Sequence, residues 1–378
     1  MKKIKILFLI HDLGQGGAEK VLINLVNNMD GNKFDITVMS LFGGGVNEQF
    51  LKKDIRYITV FKKMIPGNSK LMKLFTPKQL HRMFIKDKYD IEISYLEGPA
   101  ARIISGAKSI TMDQRLVSWI HVEQKTRFCS TSAFRTGTEA DKCYENFDKI
   151  VCVSQTVKED FQTLFPTVND PVVLYNSVES DLIRKQSLEQ IENVTFNDND
   201  FNIVSVGTLK EVKGFDRLLR VVKRLRDDGK SVHLYILGKG PDEDKLQKQI
   251  NDNGMEEYAK LLGYHTNPYK YVKNSTLFVC SSYREGFSTA ATEALIVGTP
   301  VCTVDVSGMK EMLGENNEYG IVTENNEDAL YEGIKRFIDD RELLLHYKKQ
   351  AEIRGRSFST EETVKAVEEM LKEVYENG

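Results

Sequence analysis

Cysteine is scarce in this sequence, and its placement argues against two kinds of site. The 378 residues contain five cysteines, at positions 129, 143, 152, 280 and 302. They form no C-x-x-C pair and lie in no histidine pattern, which disfavours a structural zinc site and a disulfide framework. The six histidines show no metal-ligand spacing either. We therefore expect no metal site and a reducing compartment, the cytoplasm.

Long apolar runs are also missing. Three lysines stand among the first five residues, and the apolar run over residues 6–10 ends at His11 and Asp12. That run is too short for the core of a secretory signal or for a membrane span. If this protein meets a membrane, we expect a peripheral contact at the inner face.

The net charge is small, which gives no reason to expect a nucleic-acid partner. The formal net charge is -3. The two halves differ, however, because residues 1–178 contain 25 Lys and Arg against 19 Asp and Glu, and the remaining residues contain 27 against 36. This asymmetry indicates that the first half faces something anionic. Ordinary drift in surface composition is the alternative.

Strand and helix patterns alternate through the first half. An apolar strand over residues 4–10 is followed by the turn Gly14-Gln15-Gly16-Gly17 and by an amphipathic helix that begins at Ala18. A second strand over 35–41 ends in three glycines, and later strands are predicted at 91–95, 116–120 and 149–153. This alternation is typical of a parallel α/β sheet.

The same pattern restarts after residues 179–200, a polar stretch that we interpret as a linker. Strands are predicted at 201–206, 232–237, 259–262, 276–280 and 301–304, each followed by glycine, serine or aspartate. Ligands gather at that end of the strands in open α/β sheets. The sequence therefore predicts an α/β protein with two Rossmann-like parallel-sheet domains that face a central cleft.

One segment carries the strongest chemical signal. Glu285 and Glu293 lie eight positions apart across Gly286-Phe287-Ser288-Thr289, a loop that becomes a helix with Ser288 as its N-cap. The amides of residues 287–289 make a positive helix end that suits an anionic phosphate. Carboxylates accept hydrogen bonds from vicinal hydroxyls, so one glutamate can hold a sugar and the other a ribose. The alternative is that Glu293 only serves as a charged residue on a helix surface.

This segment resembles the paired-glutamate motif of glycosyltransferase family 4, whose members are retaining enzymes of GT-B fold. Other segments agree with the family in their order along nearly the whole chain. They are the glycine loop with Ala18-Glu19, Trp119-Ile120-His121, Val153-Ser154, Asn176, the loop from Gly207 to Gly214, and Leu262-Gly263-Tyr264-His265.

The resemblance implies a GT-B fold and a retaining, metal-independent hexosyltransferase of bacterial polysaccharide or glycoconjugate synthesis. It implies transfer of a hexose or N-acetylhexosamine from a nucleotide diphosphate sugar, a UDP-sugar, to a glycan or lipid-linked acceptor, with no cofactor besides the donor. Residues 1–178, joined by a C-terminal helix over about 360–378, form the acceptor-binding domain. Residues 179–359 form the nucleotide-sugar-binding domain.

The resemblance also implies roles for individual residues. The donor-binding set comprises Gly16, Gly17, Thr208, Lys213, Tyr264, His265, Glu285, Gly286, Phe287, Ser288, Thr289 and Glu293. Within it, Lys213 clamps the phosphates, Glu285 holds the sugar and Glu293 holds the ribose. His121 hydrogen-bonds the sugar near the reacting carbon. We expect His121, Lys213 and Glu285 to be the catalytic residues.

One position departs from the family pattern. Thr208 stands where the family often has an arginine, directly after the glycine of the phosphate loop. A guanidinium binds a diphosphate through two parallel hydrogen bonds, and a threonine cannot. Lys210, or Lys213 with the helix end, can supply the missing charge. The alternative is weaker donor binding, or a non-catalytic GT-B subunit that binds and stabilises a partner transferase.

Other enzyme classes fit less well. Glu19 stands where a G-x-G-x-x-G motif needs its last glycine, and no Walker lysine follows a glycine loop, which argues against dehydrogenases and P-loop enzymes. Asp198-Asn199-Asp200 imitates the metal-binding D-x-D of other sugar transferases, but its place in the polar stretch predicts a solvated turn. A sugar-nucleotide epimerase of the same fold would need more carboxylates and histidines in the first domain.

Residues 61–88 combine eight Lys and Arg with a single acid, Asp87, and with interleaved Met, Ile, Leu and Phe side chains. Basic groups bind anionic headgroups while apolar groups enter the membrane interface. We expect this segment to contact an anionic membrane surface. An ordinary solvated helix and loop, with its apolar side chains in the core, is the alternative.

Overall fold

The computed structural model describes residues 2–64, 67–124, 126–168, 171–192, 194, 196 and 200–377. It divides into two units, Met1–Ser177 with Thr360–Gly378, and Val178–Ser359. Each unit is built on a parallel sheet, which confirms the predicted α/β class with two Rossmann-like domains. The acceptor and donor roles assigned to the two domains stay predictions.

The first unit contains a seven-stranded sheet. Its strands are β1 (Ile4–Ile10), β2 (Phe34–Phe42), β3 (Arg56–Phe61), β4 (Ile91–Ser94), β5 (Arg115–Ile120), β6 (Lys149–Cys152) and β7 (Val172–Val173). Their order is β3-β2-β1-β4-β5-β6-β7, so the direction of winding reverses between β1 and β4. Open α/β sheets bind ligands beside the carboxyl ends of the strands at such a reversal.

Helices connect these parallel strands, since a parallel pair needs a crossover connection. They are α1 (Gly17–Asn28), α2 (Asn68–Met72), α3 (Pro77–Phe84), α4 (Pro99–Ser105), α5 (Arg127–Thr131), α6 (Gly137–Glu145) and α7 (Gln155–Leu164). Short 3₁₀ helices add Val46–Phe50 and Gly106–Ser109. Residues 6–10 of β1 are fully buried, as expected for a central strand that is covered on both faces.

The second unit contains a six-stranded sheet. Its strands are β8 (Phe201–Val206), β9 (Val232–Leu237), β10 (Ala259–Gly263), β11 (Leu277–Cys280), β12 (Val301–Val304) and β13 (Ile321–Thr323). Their order is β10-β9-β8-β11-β12-β13, and the reversal lies between β8 and β11.

The helices of this unit follow the strands in turn. They are α8 (Ser180–Gln186), α9 (Phe215–Asp227), α10 (Glu243–Asp252), α11 (Tyr269–Asn274), α12 (Thr289–Ile296), α13 (Met309–Leu313), α14 (Glu327–Asp339) and α15 (Arg341–Arg356). The loop after β8 passes through the 3₁₀ helix Glu211–Lys213 into α9, and the loop after β11 leads into α12. The two loops therefore leave neighbouring strands at the reversal point.

The last helix, α16 (Thr360–Glu376), belongs to the first unit, where it packs against α1. It buries an apolar stripe at helical spacing, formed by Val364, Val367, Met370, Leu371 and Val374. Glu368 adds a polar contact, since its Oε1 accepts a hydrogen bond from the backbone amide of Asp30 at 2.6 Å.

The interpretation of residues 179–200 as a linker is wrong for its first part. Residues 180–186 form α8, which packs against α11 and α12. Ser180 and Ile183 are buried, and Arg184 donates to the carbonyl of Gly355 at 2.9 Å. Only one side of this helix packs against the protein, so most of its residues are polar and the sequence shows little apolar periodicity.

Three strands are absent from the sequence-based predictions, namely Arg56–Phe61, Val172–Val173 and Ile321–Thr323. All three lie at sheet edges. The last two are too short to show any periodicity, and the first has no buried residue. Asp198 and Asn199 of the D-x-D-like sequence, and Ile65 of the basic segment, lie outside the described residues.

We predict that Leu371→Ala destabilises the first unit by about 2–5 kcal/mol, because Leu371 is fully buried and its truncation leaves a cavity. Trp119 is the only tryptophan of the chain and lies in β5, so its fluorescence during urea unfolding reports on this unit. The exposed Lys365→Ala of the same helix is the control. Equal midpoints for the two variants would show that α16 contributes nothing to the first unit.

Candidate active site

The loops after β8 and β11 are joined by direct contacts. The amide of Tyr283 donates to the carbonyl of Val212 at 2.8 Å, and Ser281 Oγ donates to the carbonyl of Lys213 at 3.1 Å. Gly214 has a φ of 62°, and a Cβ on it would lie 2.0 Å from the carbonyl oxygen of Ser281. Only glycine allows this close approach.

A buried arginine fixes the second of these loops. Arg217 of α9 donates from Nε to the carbonyl of Ser281 and from Nη2 to that of Ser282, both at 2.8 Å. Its Nη1 reaches Asn325 Oδ1 at 2.8 Å, and its guanidinium lies 4.3 Å from the ring centroid of Tyr283. Burial lowers the pKa of Arg217. We did not predict this residue, although a charged side chain within the apolar stripe of α9 was a visible signal.

Lys213 and Glu285, predicted separately to bind the donor, are each other's partners here. Lys213 Nζ lies 2.7 Å from Oε1 and 2.9 Å from Oε2 of Glu285, and Ser282 Oγ donates to Oε1 at 2.6 Å. Burial lowers the pKa of Lys213, but the charge and the hydrogen bonds of Glu285 outweigh this effect, so the pKa is raised. The ammonium is therefore charged and held at the carboxyl edge of the sheet.

The N-terminus of α12 lies just beyond Glu285 in sequence. Ser288 is its N-cap, as predicted, and Ser288 Oγ accepts from the amide of Ala291 at 3.3 Å. The carbonyl of Gly286 accepts from Ser307 Oγ at 3.0 Å, which ties the preceding loop to the rest of the unit. Since the first amides of a helix have no partner within it, this end carries partial positive charge.

Glu293 stands in the second turn of α12 and is buried, with 6% of its surface exposed. The alternative that it is only a charged residue on a helix surface is therefore wrong. A buried carboxylate is costly unless it is paired or hydrogen-bonded, which favours a specific role for it. Its assignment to a ribose stays a prediction.

The loops after β8 and β9 also meet. A Cβ on Gly238 would lie 1.9 Å from the carbonyl oxygen of Gly207. The amide of Leu209 donates to the carbonyl of Lys239 at 3.1 Å. Thr208 lies between these contacts, and its carbonyl accepts from the amide of Lys210 at 2.8 Å. The side chain of Lys210 is exposed, so it is available as the alternative source of charge.

His265 follows β10, next to Tyr264, and both of its ring nitrogens are bonded. Nε2 donates to the carbonyl of Leu262 at 3.0 Å, and Nδ1 accepts from Tyr271 at 3.3 Å. These bonds stabilise the shape of the loop. A contact of Tyr264-His265 with a base stays a prediction, and the ring face or the backbone of His265 would have to make it.

His121 lies at the end of β5 in the first unit and is buried, with 6% of its surface exposed. Its ring centroid lies 4.8 Å from that of Tyr95, and its backbone amide donates to Glu97 Oε2 at 3.0 Å. Nε2 is buried and has no hydrogen-bond partner within the described part of the chain. Burial lowers the pKa of His121 to about 3, so the imidazole is neutral and able to hydrogen-bond a hydroxyl.

Gly16 and Gly17 mark the beginning of α1, with Gly16 as the N-cap. The loop before α1 is held in place by the segment that contains the three glycines after β2. A Cβ on Gly45 would lie 2.1 Å from the carbonyl oxygen of Leu13, and the amide of Asn47 donates to that carbonyl at 2.9 Å. The structure thus brings Lys213, Glu285 and the α12 end together in the second unit, while His121 and the Gly16-Gly17 helix end belong to the first.

In the basic segment 61–88, four consecutive carbonyls accept hydrogen bonds from two arginines. Arg102 donates to the carbonyls of residues 72 and 75, at 2.8 and 2.6 Å, and Arg135 donates to those of 73 and 74, at 2.6 and 2.8 Å. Glu139 accepts from Arg102 Nε at 3.0 Å and from the amide of Arg135 at 2.7 Å. We call this arrangement the arginine clamp.

The clamp presents exposed apolar side chains. Leu71, Leu74 and Met64 are 53%, 71% and 58% exposed, and Lys70 beside them is exposed as well. The alternative in which the apolar residues of this segment join the core is therefore wrong for these three. It holds for Leu80 and Ile85, which are buried.

Neither a metal-ligand cluster nor a membrane-spanning helix is found among the described residues. In that part of the chain, no group of three or more His, Cys, Asp or Glu side chains could hold a metal ion. None of its helices has the length and apolar character that a membrane crossing requires. Metal independence stays a prediction.

Two family models match this chain. The model described as Glycosyltransferase Family 4 matches residues 15–182, and the one described as Glycosyl transferases group 1 matches residues 186–354. A relative from Campylobacter jejuni is 28% identical over 373 residues, which are 96% of this chain and 97% of the relative. Its name is N-acetylgalactosamine-N,N'-diacetylbacillosaminyl-diphospho-undecaprenol 4-alpha-N-acetylgalactosaminyltransferase.

Solved structures of similar shape agree. HepE from Anabaena, in complex with UDP, has a TM-score of 0.75 at 19% identity, over 98% of this chain and all of that chain. A glycosyltransferase from Rickettsia africae has a TM-score of 0.76 at 18% identity, over the whole of both chains. The likeness confirms the predicted GT-B fold.

We predict that Gly214→Ala destabilises the second unit more than Gly229→Ala does. Both glycines have positive φ, so each alanine costs about 1–2 kcal/mol of backbone strain. Only at Gly214 does the added Cβ meet a carbonyl oxygen, whereas at Gly229 it meets nothing within 4 Å. Overpacking adds about 1–3 kcal/mol. Urea unfolding followed by circular dichroism measures the difference, and equal losses would contradict the close packing of the two loops.

Proposed function

We propose that this chain, which belongs to the glycosyltransferases of family 4 type and GT-B fold, is a retaining, metal-independent hexosyltransferase. It transfers a hexose or N-acetylhexosamine from a UDP-sugar to a glycan or lipid-linked acceptor. The observation that carries the proposal is the charged pair Lys213–Glu285, held beside the N-terminus of α12 at the reversal point of the second sheet.

The Lys213–Glu285 pair suggests how this site takes up a donor. An incoming diphosphate carries more negative charge than one carboxylate, so it competes with Glu285 for the ammonium of Lys213. Once Lys213 turns to the phosphates, Glu285 is free to accept hydrogen bonds from the sugar hydroxyls. The two members of the pair thus bind the two ends of the donor, Lys213 the diphosphate and Glu285 the sugar.

Catalysis at this site is mainly electrostatic. Negative charge develops on the leaving diphosphate as the bond to the sugar breaks, and preorganised donors stabilise that charge. Lys213 and the first amides of α12 are such donors. Because they supply positive charge, the site has no need of a divalent cation. The neutral imidazole of His121 is suited to a hydrogen bond with the sugar, as the family resemblance implies.

The comparisons support a retaining mechanism and a UDP-sugar donor. The name of the Campylobacter jejuni relative specifies an alpha linkage. Sugars in common UDP-hexose donors are themselves α-linked, so an α product means retention. The Anabaena structure of the same fold was solved in complex with UDP. Burial of Glu293 favours a role in holding the ribose of such a nucleotide.

A lipid-linked acceptor at a membrane surface agrees with segment 61–88. The Campylobacter jejuni relative is named for a diphospho-undecaprenol substrate. In this chain the arginine clamp holds exposed Leu71 and Leu74 beside Lys70 and Lys73, a combination that fits an anionic interface. These observations support our proposal that the protein acts in the cytoplasm, at the inner face of the membrane.

A non-catalytic GT-B subunit is the second candidate, and Thr208 is the observation that favours it. A subunit that only stabilises a partner has no need of an ordered Lys213–Glu285 pair or of a neutral, buried His121. Donor turnover by the isolated protein distinguishes the two. Binding of UDP without any consumption of UDP-sugars, with or without acceptor, would favour the subunit.

We predict different effects for the two glutamates. Glu293→Ala weakens UDP binding by about 1–3 kcal/mol, since it removes charge-assisted hydrogen bonds. Glu285→Ala lowers turnover more than binding, because it removes a sugar contact and leaves Lys213 without its partner. Calorimetry with UDP and a transfer assay with a panel of UDP-sugars in EDTA measure both effects.

The exposed Glu256→Ala in the same unit is the matched control and should behave as wild type. Wild-type kinetics in Glu285→Ala and Glu293→Ala would overturn the site assignment. Loss of all wild-type activity in EDTA, restored by Mn²⁺ or Mg²⁺, would overturn metal independence.

We predict salt-sensitive binding to anionic vesicles through segment 61–88. Changing Lys62, Lys63, Lys70 and Lys73 to glutamate should release the protein, since each basic residue near the surface contributes about 1 kcal/mol. The control carries the same charge change on exposed lysines of the second unit, Lys245, Lys273, Lys348 and Lys349. Cosedimentation at low salt measures the binding, and equal partitioning of the two variants would rule this surface out.

A further inference from the structure

A histidine–carboxylate pair stands at the carboxyl end of β1. His11 Nδ1 donates to Asp12 Oδ2 at 2.7 Å, and Asp12 Oδ1 accepts from the amide of Gly14 at 2.7 Å. Both oxygens of Asp12 are thus engaged, one by the imidazole and one by the glycine loop. Asp12 therefore fixes the position of the histidine relative to the beginning of the loop.

The His11 ring is held on its other sides as well. Its centroid lies 5.0 Å from that of Phe42, and its backbone carbonyl accepts from the amide of Phe42 at 3.0 Å. About a third of the His11 side chain is exposed, and Nε2 has no hydrogen-bond partner among the described residues. In a neutral imidazole that donates from Nδ1, Nε2 carries a lone pair and accepts a hydrogen bond.

The pair lies where open α/β sheets bind ligands. β1 and β4 are the strands between which the winding of the first sheet reverses, and His11 directly follows β1. Glu97 follows β4 and His121 follows β5, so polar side chains gather at this edge. The bond from Asp12 to Gly14 orders the loop without any need for a histidine, so loop order alone does not account for His11.

We propose that His11 is a positioning residue for the acceptor, whose Nε2 accepts a hydrogen bond from the hydroxyl that attacks the donor sugar. Asp12 holds the tautomer in which Nε2 has its lone pair. This inference rests on the proposed transferase function and assigns the acceptor side of the same reaction to named groups of the first unit.

The step balances without a net proton on His11. Before the attack, the hydroxyl donates its single proton to Nε2 in a hydrogen bond, which orients the oxygen. As that oxygen bonds to the anomeric carbon, the bond from the carbon to the diphosphate oxygen breaks with its electron pair on the diphosphate oxygen. The hydroxyl proton then leaves the hydrogen bond to Nε2 and binds this newly basic diphosphate oxygen. A misplaced attacking atom costs on the order of a hundredfold in rate.

Two conservative variants test the assignment. His11→Asn keeps a donor for Asp12 at the position of Nδ1 but lacks Nε2. Asp12→Asn keeps an acceptor for the amide of Gly14 but presents an NH₂ group to His11, which forces Nδ1 to accept and Nε2 to carry the proton. Both should lower transfer to a polyprenyl-diphosphate-linked N-acetylhexosamine about ten- to a hundredfold, with UDP affinity within about twofold of wild type.

The readout is the partition between transfer and hydrolysis of the UDP-sugar. Reduced transfer with unchanged hydrolysis, unchanged UDP affinity and unchanged unfolding midpoint supports a positioning role. Wild-type transfer in both variants would overturn it, and so would a parallel loss of UDP affinity or stability, which marks a structural pair. Wild-type protein that neither binds UDP nor transfers sugar would instead refute the proposed function.

Discussion

The ion pair between Lys213 and Glu285 is the interaction on which the organisation of the second unit's site depends. It joins a loop after β8 to a loop after β11, two strands that adjoin where the sheet reverses. Gly214 permits the close approach of these loops, and Arg217 fixes the backbone around residues 281 and 282. A lysine and a glutamate at this edge of the sheet would each be costly to bury alone, since burial disfavours each charge. Pairing them allows both charges to be held there.

The first unit also uses carboxylates to order the loops that follow its strands. Its candidate site residues follow β1, β4 and β5. Carboxylates that accept hydrogen bonds from backbone amides hold the chain in place there. Asp12 engages the amide of Gly14, and Glu97 engages the amide of His121. These carboxylates fix the backbone just after the strands, while Nε2 of His11 and of His121 has no hydrogen-bond partner among the described residues. Each unit thus orders the loops at the carboxyl edge of its own sheet through contacts within that unit.

Local pattern accounts for what the sequence could predict. Apolar runs followed by a glycine-containing turn predicted β1, β8 and β9, an apolar run followed by serine predicted β11, and the N-cap Ser288 predicted the beginning of α12. Each of these features is encoded within about ten residues. Arg217 and the arginine clamp escaped prediction, since their partners lie 27 to 108 residues away in the chain, apart from the local contact of Arg135 with Glu139. The pairing of Lys213 with Glu285 escaped for the same reason, with 72 residues between them. The edge strands β3, β7 and β13 were missed because only one of their residues is buried, which leaves little apolar periodicity.

The arginine clamp has a consequence for how this surface can change. The hydrogen bonds that Arg102 and Arg135 make to residues 72–75 go to main-chain carbonyls, and every residue type offers a carbonyl. The shape of this turn is therefore largely independent of the side chains it displays. Natural variation or engineering can replace the exposed side chains here, for instance with aromatic or acidic ones, while the backbone keeps its course. Substitutions of Leu71 and Leu74 should therefore change the chemistry of this surface and leave the main-chain course of residues 72–75 unchanged.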